Sequence, residues 1–434
     1  MVSVRSLLGK SVHAACQKFD GLIIRPHLSN LREMILGMLL AKSCHLSTIG
    51  AQVSGHVLPR KNTERYSNAL AQIDPVVCTK RHITCHAPLF RNEPMLLLCD
   101  GGDMQKPYAR VMKNVCQNID GSNGHAVGRG FPTFACIAYS LESKRQIPLY
   151  HHLYSTITKE FNSQWGEQMS CYELLAPFLH STQDRIVVND RGGDDEKQFL
   201  YVLQTMHMSF LTRINTGENA RHLCPVREGE IGGKVPMPQI IREAAKRAGS
   251  AKRWKNRKLK KTCISRIAFM EVRLPDHPHI PLFLVLLFTE GFKDPIVLIT
   301  DIDVRDAAKA WVVFFWYKKR WEVENFFRAI KQQFDAEGFR ILSYKAIKTL
   351  AFVQMLAFSL LMKIKNAGKE ALQDLTFLFA AFCRRWQRTK QSHLDLLHWI
   401  REEWSRTRRA TASSYRSWSR RMHDCLRQEK SLSP

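Results

Sequence analysis

Two short apolar runs, each closed by an aspartate, constrain this chain more than any other feature. Pro94-Met-Leu-Leu-Leu-Cys99 leads without polar interruption to Asp100, and Arg185-Ile-Val-Val-Asn189 leads to Asp190. A strand with one wet face alternates apolar and polar residues, so an unbroken run of this length signals a strand buried on both faces. Such strands lie inside sheets that carry helices on their faces, and each would present its acid at its tip. The chain is thereby directed to an α/β class.

The neighbouring segments supply the order of elements. Phe131 to Ser140 and Gln146 to Tyr150 flank the polar turn Glu142-Ser-Lys-Arg145 and read as a hairpin. A helix is expected over Gly166 to His180, another over Asp194 to Met206, and a strand over Ser209 to Ile214. Three strands, helix, strand, helix, strand, with one acid closing the first strand and one closing the fourth, is the order of the ribonuclease H-like fold.

On this reading residues 1–92 form a helical N-terminal DNA-binding region and 93–214 the first part of a ribonuclease H-like catalytic domain. Residues 215–304 form a β-rich insertion with a basic segment, 305–365 the second part of the catalytic domain with its glutamate helix, and 366–434 a helical basic C-terminal region. In the N-terminal region, helical patterns over Leu31 to Leu40 and His45 to Val53, with Ser47 as a cap, suggest a helix-turn-helix. In the insertion, Arg242 to Lys261 carries ten Lys or Arg residues around Trp254 and reads as a flexible segment; Ile267 to Leu274 and Ile280 to Phe288 read as strands. The C-terminal region sets Arg384, Arg385 and Arg388 among Trp386, Trp399, Trp404 and Trp418, a mixture suited to phosphate contact and base stacking.

Charge narrows the partner. Lys and Arg number 65 against 39 Asp and Glu, a formal net charge of +26. Solubility of a small domain needs only about 2 to 8 charges, so a surface this basic is expected to seek a polyanion, nucleic acid in the first place. No run of 18 apolar residues exists and residues 1–24 do not resemble a signal peptide, so no membrane partner is expected and the chain should work in the cytoplasm. The 12 cysteines include no close CxxC pair, so neither a zinc ribbon nor a disulfide framework is signalled.

Asp306 to Phe334 reads as one long amphipathic helix, and its chemistry is concentrated in Tyr317-Lys-Lys-Arg-Trp-Glu-Val-Glu-Asn-Phe-Phe-Arg-Ala-Ile-Lys331. Tyr317, Arg320, Glu324 and Lys331 fall on one helical stripe, which presents a phenol, a guanidinium, a carboxylate and an ammonium. Cutting DNA requires carboxylates that hold hard divalent ions, with cations nearby for phosphate. A plain i, i+4 salt-bridge ladder between Arg320 and Glu324 is the structural alternative.

The spacing Tyr-x2-Arg-x3-Glu-x6-Lys resembles the signature of bacterial insertion-sequence transposases of the DDE type, in the insertion-sequence-four family. The segments Asp100-Gly-Gly-Asp-Met-Gln-Lys-Pro-Tyr-Ala109 and Val188-Asn-Asp-Arg-Gly-Gly-Asp194 are similar to the family's surroundings of its two aspartates. The resemblance implies that Asp100, Asp190 and Glu324 are the catalytic residues and bind two Mg²⁺ or Mn²⁺ ions, and that Tyr317, Arg320 and Lys331 grip DNA phosphates. It also implies double-stranded DNA, as transposon ends and target, for substrate, a homodimer in the synaptic complex, and a bacterial, nucleoid-associated location. The family commonly follows its first acid with Thr or Leu-Thr, where this chain has Gly101-Gly102. Asp103 therefore remains a rival for Asp100, and Glu322 a rival for Glu324, although only Glu324 keeps the spacing to Arg320 and Lys331. Two other readings stand beside the transposase: a non-catalytic DNA-binding regulator derived from one, and a metal-dependent DNA nuclease.

Overall fold

The structure is a computed structural model that describes residues 4–53, 58–120, 126–179, 184–217, 219–249, 251–256 and 261–366. The arginine- and tryptophan-rich stretch expected near the C-terminus, from Arg384 to Trp418, lies outside the described residues. Two compact units make up the chain, one of residues 1–78, 111–113 and 329–434, the other of 79–110 and 114–328.

Helices open the chain: α1 (Val4–Cys16), α2 (Arg25–Ala41), α3 (Leu46–Val53), α4 (Pro59–Gln72) and α5 (Pro75–His86). Pro26 in the first turn of α2 starts that helix six residues before the expected Leu31, since a proline there gives up no helical hydrogen bond. Lys42, in the left-handed region at φ 52°, stops it. α2 and α3 meet at a bend of 94°. α3 begins at Leu46, so Ser47 lies inside its first turn and is not its cap. Gly37 permits the close approach, because a β-carbon there would come within 2.6 Å of Ile49.

The other unit is built on one sheet of 13 strands among the described residues. Its first strands are β1 (Met95–Gln105), β2 (Cys116–Asp120), β3 (Ala126–Ser140) and β4 (Gln146–Leu153), followed by α6 (Gln164–Leu179) and β5 (Arg185–Asn189). Then come α7 (Glu196–Leu200), β6 (Ser209–Arg213), β7 (His222–Arg227), β8 (Glu230–Ile231), β9 (Val235–Pro236) and α8 (Met237–Arg247). β10 (Lys252–Asn256), β11 (Lys261–Leu274), β12 (His277–Thr289) and β13 (Ile296–Thr300) complete it. The order runs β2-β3-β1-β5-β6-β13-β12-β11-β7-β8, with β4 on β3, β10 on β11 and β9 on β7. β1, β5 and β6 are parallel to one another and β3 is antiparallel to β1. The short strand β2 was not expected, since Cys116-Gln-Asn-Ile-Asp120 has too few apolar residues to announce a strand.

Two sequence expectations need correction here. β1 does not stop at Cys99; it runs through Asp100 and both glycines to Gln105, because the long antiparallel partner β3 supplies hydrogen bonds along its whole length. The basic stretch from Arg242 is not a free arm over its described residues. It holds the end of α8 and the strand β10, and Trp254 is buried, donating from its indole N–H to Ser265 Oγ at 2.8 Å and packing edge-on against Phe314 at 5.2 Å.

After the sheet, the expected single helix is two: α9 (Ala307–Tyr317) and α10 (Trp321–Gln333), joined by a tight 3₁₀ turn over Lys318–Arg320. Asp306 caps α9 by accepting from the Lys309 N–H at 2.7 Å. α10 runs from the sheet unit into the helical unit, where α11 (Tyr344–Asn366) follows. α11 is long and apolar enough to cross a membrane, yet 89% of that window is buried, as expected of a core helix packed by α2 and α4.

Candidate active site

Strand register brings the two aspartates together. In the parallel pairing of β1 with β5, Leu98 stands beside Val188, and two residues further along each strand comes its acid. Side chains two apart share a face, so Asp100 and Asp190 project from the same side of the sheet at the same level. Asp103 is three residues beyond Asp100 in the same strand, which turns it to the opposite face; its carboxylate accepts from Gln105 at 3.1 Å.

The turn after β5 is fixed from both sides. Gly193 N–H bonds the Asp190 carbonyl at 2.9 Å, and Asp194 holds Arg221 at 2.5 Å and accepts from the Asn215 N–H at 2.8 Å. Beneath it, Gln198 donates to the Tyr172 hydroxyl at 2.6 Å, and Tyr172 donates to Asn189 Oδ1 at 3.2 Å.

α9 and α10 bring the remaining groups down on this face. Gly102 shares the face of Asp100, and a β-carbon there would come within 2.9 Å of the Phe327 ring and of Thr133 Oγ1. The departure from Thr at this stretch thus has a physical account: the absent side chain leaves room for α10. Phe327 lies one turn beyond Glu324, so the same approach seats the glutamate.

Arg320 is the hub. Its guanidinium bonds Asp100 Oδ2 and Glu324 Oε1, each at 2.5 Å, and lies 3.4 Å from Asp190 Oδ2. The i, i+4 pair foreseen as a mere ladder therefore exists, but as one arm of a three-acid cluster. The arginine side chain is 8% exposed, against 21% for Asp100, 33% for Asp190 and 30% for Glu324. Tyr317, also buried, donates its hydroxyl to Asp190 Oδ1 at 3.0 Å. Asn325 bonds the rival Glu322 at 3.1 Å.

Five of the six residues singled out in the sequence thus come together in the sheet unit. The sixth, Lys331, belongs to the helical unit, where its ammonium pairs with Glu337 at 3.2 Å. One residue escaped sequence reading: Arg213 at the end of β6, whose charge acts on both Asp190 and Tyr317. The only available signal was a cation closing a strand parallel to β5.

The electrostatics are unbalanced. Burial raises the Asp100 carboxyl, Arg320 opposes this, and the neighbouring Asp190 and Glu324 charges add to it, leaving it at about 7. Burial would also raise Asp190, but Arg320, the Arg191 N–H, the Tyr317 hydroxyl and Arg213 outweigh it and hold Asp190 below the usual carboxylate range. Burial and the Asp190 charge push the Tyr317 phenol up. Burial disfavours the charge on Arg320, yet the surrounding acids keep it firmly protonated.

Three carboxylates therefore share one guanidinium, and the site is short of positive charge. The donor set is all hard oxygen, suited to Mg²⁺ or Mn²⁺. As they stand, no three acidic, imidazole or thiolate groups among the described residues converge tightly enough to ligate an ion, because the acids converge on Arg320.

Comparison with a known family agrees with this arrangement. Residues 114–360 match the family described as the transposase DDE domain, a segment that includes Asp190, Arg320 and Glu324 and begins after Asp100. Among solved structures, a cryo-EM structure of the piggyBac transposase synaptic complex with hairpin DNA is similar at a TM-score of 0.41 and 7% identity, covering 89% of this chain and 73% of that one. No curated protein matches. Since the family match spans more than half of the 434 residues, the chain belongs to the transposase DDE domain family, whose members cleave and transfer DNA strands.

Proposed function

We propose that this transposase moves an insertion sequence of the insertion-sequence-four type, with Asp100, Asp190 and Glu324 as its catalytic acids. The observation that carries the reading is the shared register of the two aspartates with Glu324 held beside them through Arg320. The strand order β4-β3-β1-β5-β6, with β3 reversed, supports a ribonuclease H-like catalytic core. The strands from β7 to β12 then form the insertion, here continuous with the core sheet through β13.

The three acids would hold two Mg²⁺ or Mn²⁺ ions. Bound there, such ions supply the charge that activates an attacking water or 3′-hydroxyl and stabilises the leaving oxygen. Tyr317 orients Asp190 through its hydroxyl. Arg320 keeps three like charges together and, with Tyr317 and Lys331, would serve the DNA phosphates. The α2–α3 pair, with Ser47, Thr48 and Ala51 exposed on α3, would read transposon ends as a helix-turn-helix. A homodimer pairing two ends, acting on the nucleoid in a bacterial cytoplasm, completes the reading.

The test uses purified protein and DNA carrying the inverted repeats that flank its coding region. Asp190→Ala and Glu324→Ala should each abolish Mg²⁺-dependent cleavage at the repeat boundary. Retention of cleavage by either variant would mean that the acids lie elsewhere.

A further inference from the structure

The far end of α10 is held by a turn remote from it in sequence. Just past the helix, the carbonyls of Phe334 and Asp335 have left the helical ladder and need donors from elsewhere. Cys44, in the short linker between α2 and α3, supplies both: its N–H bonds the Phe334 carbonyl at 2.6 Å and its thiol the Asp335 carbonyl at 3.1 Å. The next residue, His45, sets its Nε2 3.2 Å from Asp335 Oδ2. All of these residues belong to the helical unit.

The surrounding segment is shaped to this clasp. Asp335 sits in the left-handed region at φ 48°, which residues other than glycine seldom adopt. Gly338 leaves the room that the pair occupies, since a β-carbon there would overlap Asp335 Oδ2 and come within 2.6 Å of His45 Nε2. From α10 itself, Lys331 reaches to Glu337 at 3.2 Å and fastens the same turn from the other side. Cys44, Phe334 and Ala336 are fully buried.

The clasp joins two regions with different tasks. The His45 carbonyl accepts from the Ile49 N–H at 2.9 Å and so opens α3, on which Ser47 and Thr48 are exposed. At the other end of α10, Glu324 lies in the first turn, ten residues before Phe334 and about 15 Å away along the axis. A continuous helix is a rigid element, so a shift imposed at Phe334 is carried to Glu324.

We propose that Cys44 and His45 are positioning residues for the catalytic glutamate: DNA held by α2 and α3 acts on the clasp, and the clasp on α10, so that a correct end seats Glu324 for cleavage. This rests on the readings of α2–α3 as the end-reading pair and of Glu324 as a catalytic acid.

The test uses the full-length protein with DNA carrying the flanking inverted repeat, and with DNA that keeps the cut site but has the rest of the repeat scrambled. Affinity is measured without Mg²⁺, and single-turnover cleavage with Mg²⁺ at saturating protein. The unmodified protein should cut the intact repeat faster than the scrambled one even when both are fully bound. His45→Ala and Gly338→Ala should each slow cleavage of the intact repeat about tenfold, an ordinary size for coupled sites, while its affinity changes less than about twofold. His45→Gln, whose amide can still donate to Asp335, should recover most of the rate. His45→Ala combined with Asp335→Ala should be no slower than the slower single variant, because both break one link. His45 is only partly buried, so its variants keep the test valid if Gly338→Ala fails to fold.

An unchanged cleavage rate in His45→Ala overturns the proposal, as does a loss of affinity that accounts for the whole loss of rate. The underlying readings fail differently. If α2–α3 does not read ends, the double variant Ser47→Ala, Thr48→Ala keeps full end affinity; if the acids are wrong, Glu324→Ala still cuts. If only the clasp is wrong, the double variant binds ends weakly, Glu324→Ala is inactive, and His45→Ala cuts at the unmodified rate.

Discussion

The ring of Phe327 lies 2.9 Å from the point a β-carbon on Gly102 would occupy. That approach sets how closely α10 sits against β1, and hence where Glu324 stands relative to Asp100. Gly102→Ala should push the helix outward by a fraction of an ångström or more. Misplacement of this order costs about a hundredfold in rate. The expected outcome is a steep fall in strand cleavage with folding retained by circular dichroism. Wild-type rates in this variant would show that the Gly102–Phe327 approach does not govern the site.

Arg320 neutralises three acids at once, so its removal exposes their mutual repulsion. In metal-free buffer Arg320→Ala should lose about 3 kcal/mol, the scale for breaking a largely buried ion pair from one side. Because Mg²⁺ can replace the missing charge, adding it should restore much of the melting temperature. Cleavage should fall far more than metal affinity, and Arg320→Lys, which keeps charge but loses the forked geometry, should fall between. A metal-independent melting temperature in Arg320→Ala would separate Arg320 from the metal-binding acids.

Asp100 sits at about 7, above the ordinary 3.8. Between these values the folded protein holds a proton that the unfolded chain has released. Its contribution to metal-free stability is therefore present in acid and lost as pH rises through about 7. Metal binding needs the anion, so Mg²⁺ affinity should climb roughly tenfold per pH unit up to about 7 and then level. Calorimetric titration across that range checks both the slope and the proton released. Asp190→Asn removes one of the charges that raise Asp100, so in metal-free buffer the stability break near 7 should move to lower pH.

How much of this was legible in the sequence varies by element. The run Arg185–Asn189 emerged as β5 with its expected ends, because a fully buried parallel strand has no polar residue to blur its limits. β1 was misjudged at its far end, since Gly101, Gly102 and Asp103 are poor strand formers held extended only by pairing with β3. The break between α9 and α10 was invisible, because Lys-Lys-Arg is compatible with either a helix or a 3₁₀ turn. Spacing found Tyr317, Arg320 and Glu324 and allowed an Arg320–Glu324 pair, but only the packed structure shows that Arg320 also engages Asp100 and Asp190. Arg213 comes from β6, far in sequence from the α9–α10 segment, and leaves no local pattern that ties it to the acids.

The basic strand β10 offers a measurement of how DNA is held. Lys252, Arg253 and Lys255 are exposed, while Trp254 between them is buried, with Lys318 stacked on its ring at 4.1 Å and bonded to the Lys255 carbonyl at 3.0 Å. The tryptophan fixes the strand next to the turn that carries Arg320, so the exposed cations should meet phosphate close to the cut. Every cation withdrawn from a phosphate lowers the slope of log K against log salt by about 0.9. Replacing all three cations by alanine should thus reduce that slope by about 2 to 3 between roughly 50 and 200 mM salt, uniformly across DNA sequences. Trp254→Ala should cost about 3 kcal/mol of stability and lower cleavage through the loosened turn as well. An unchanged salt slope in the triple variant would assign the strand to folding alone.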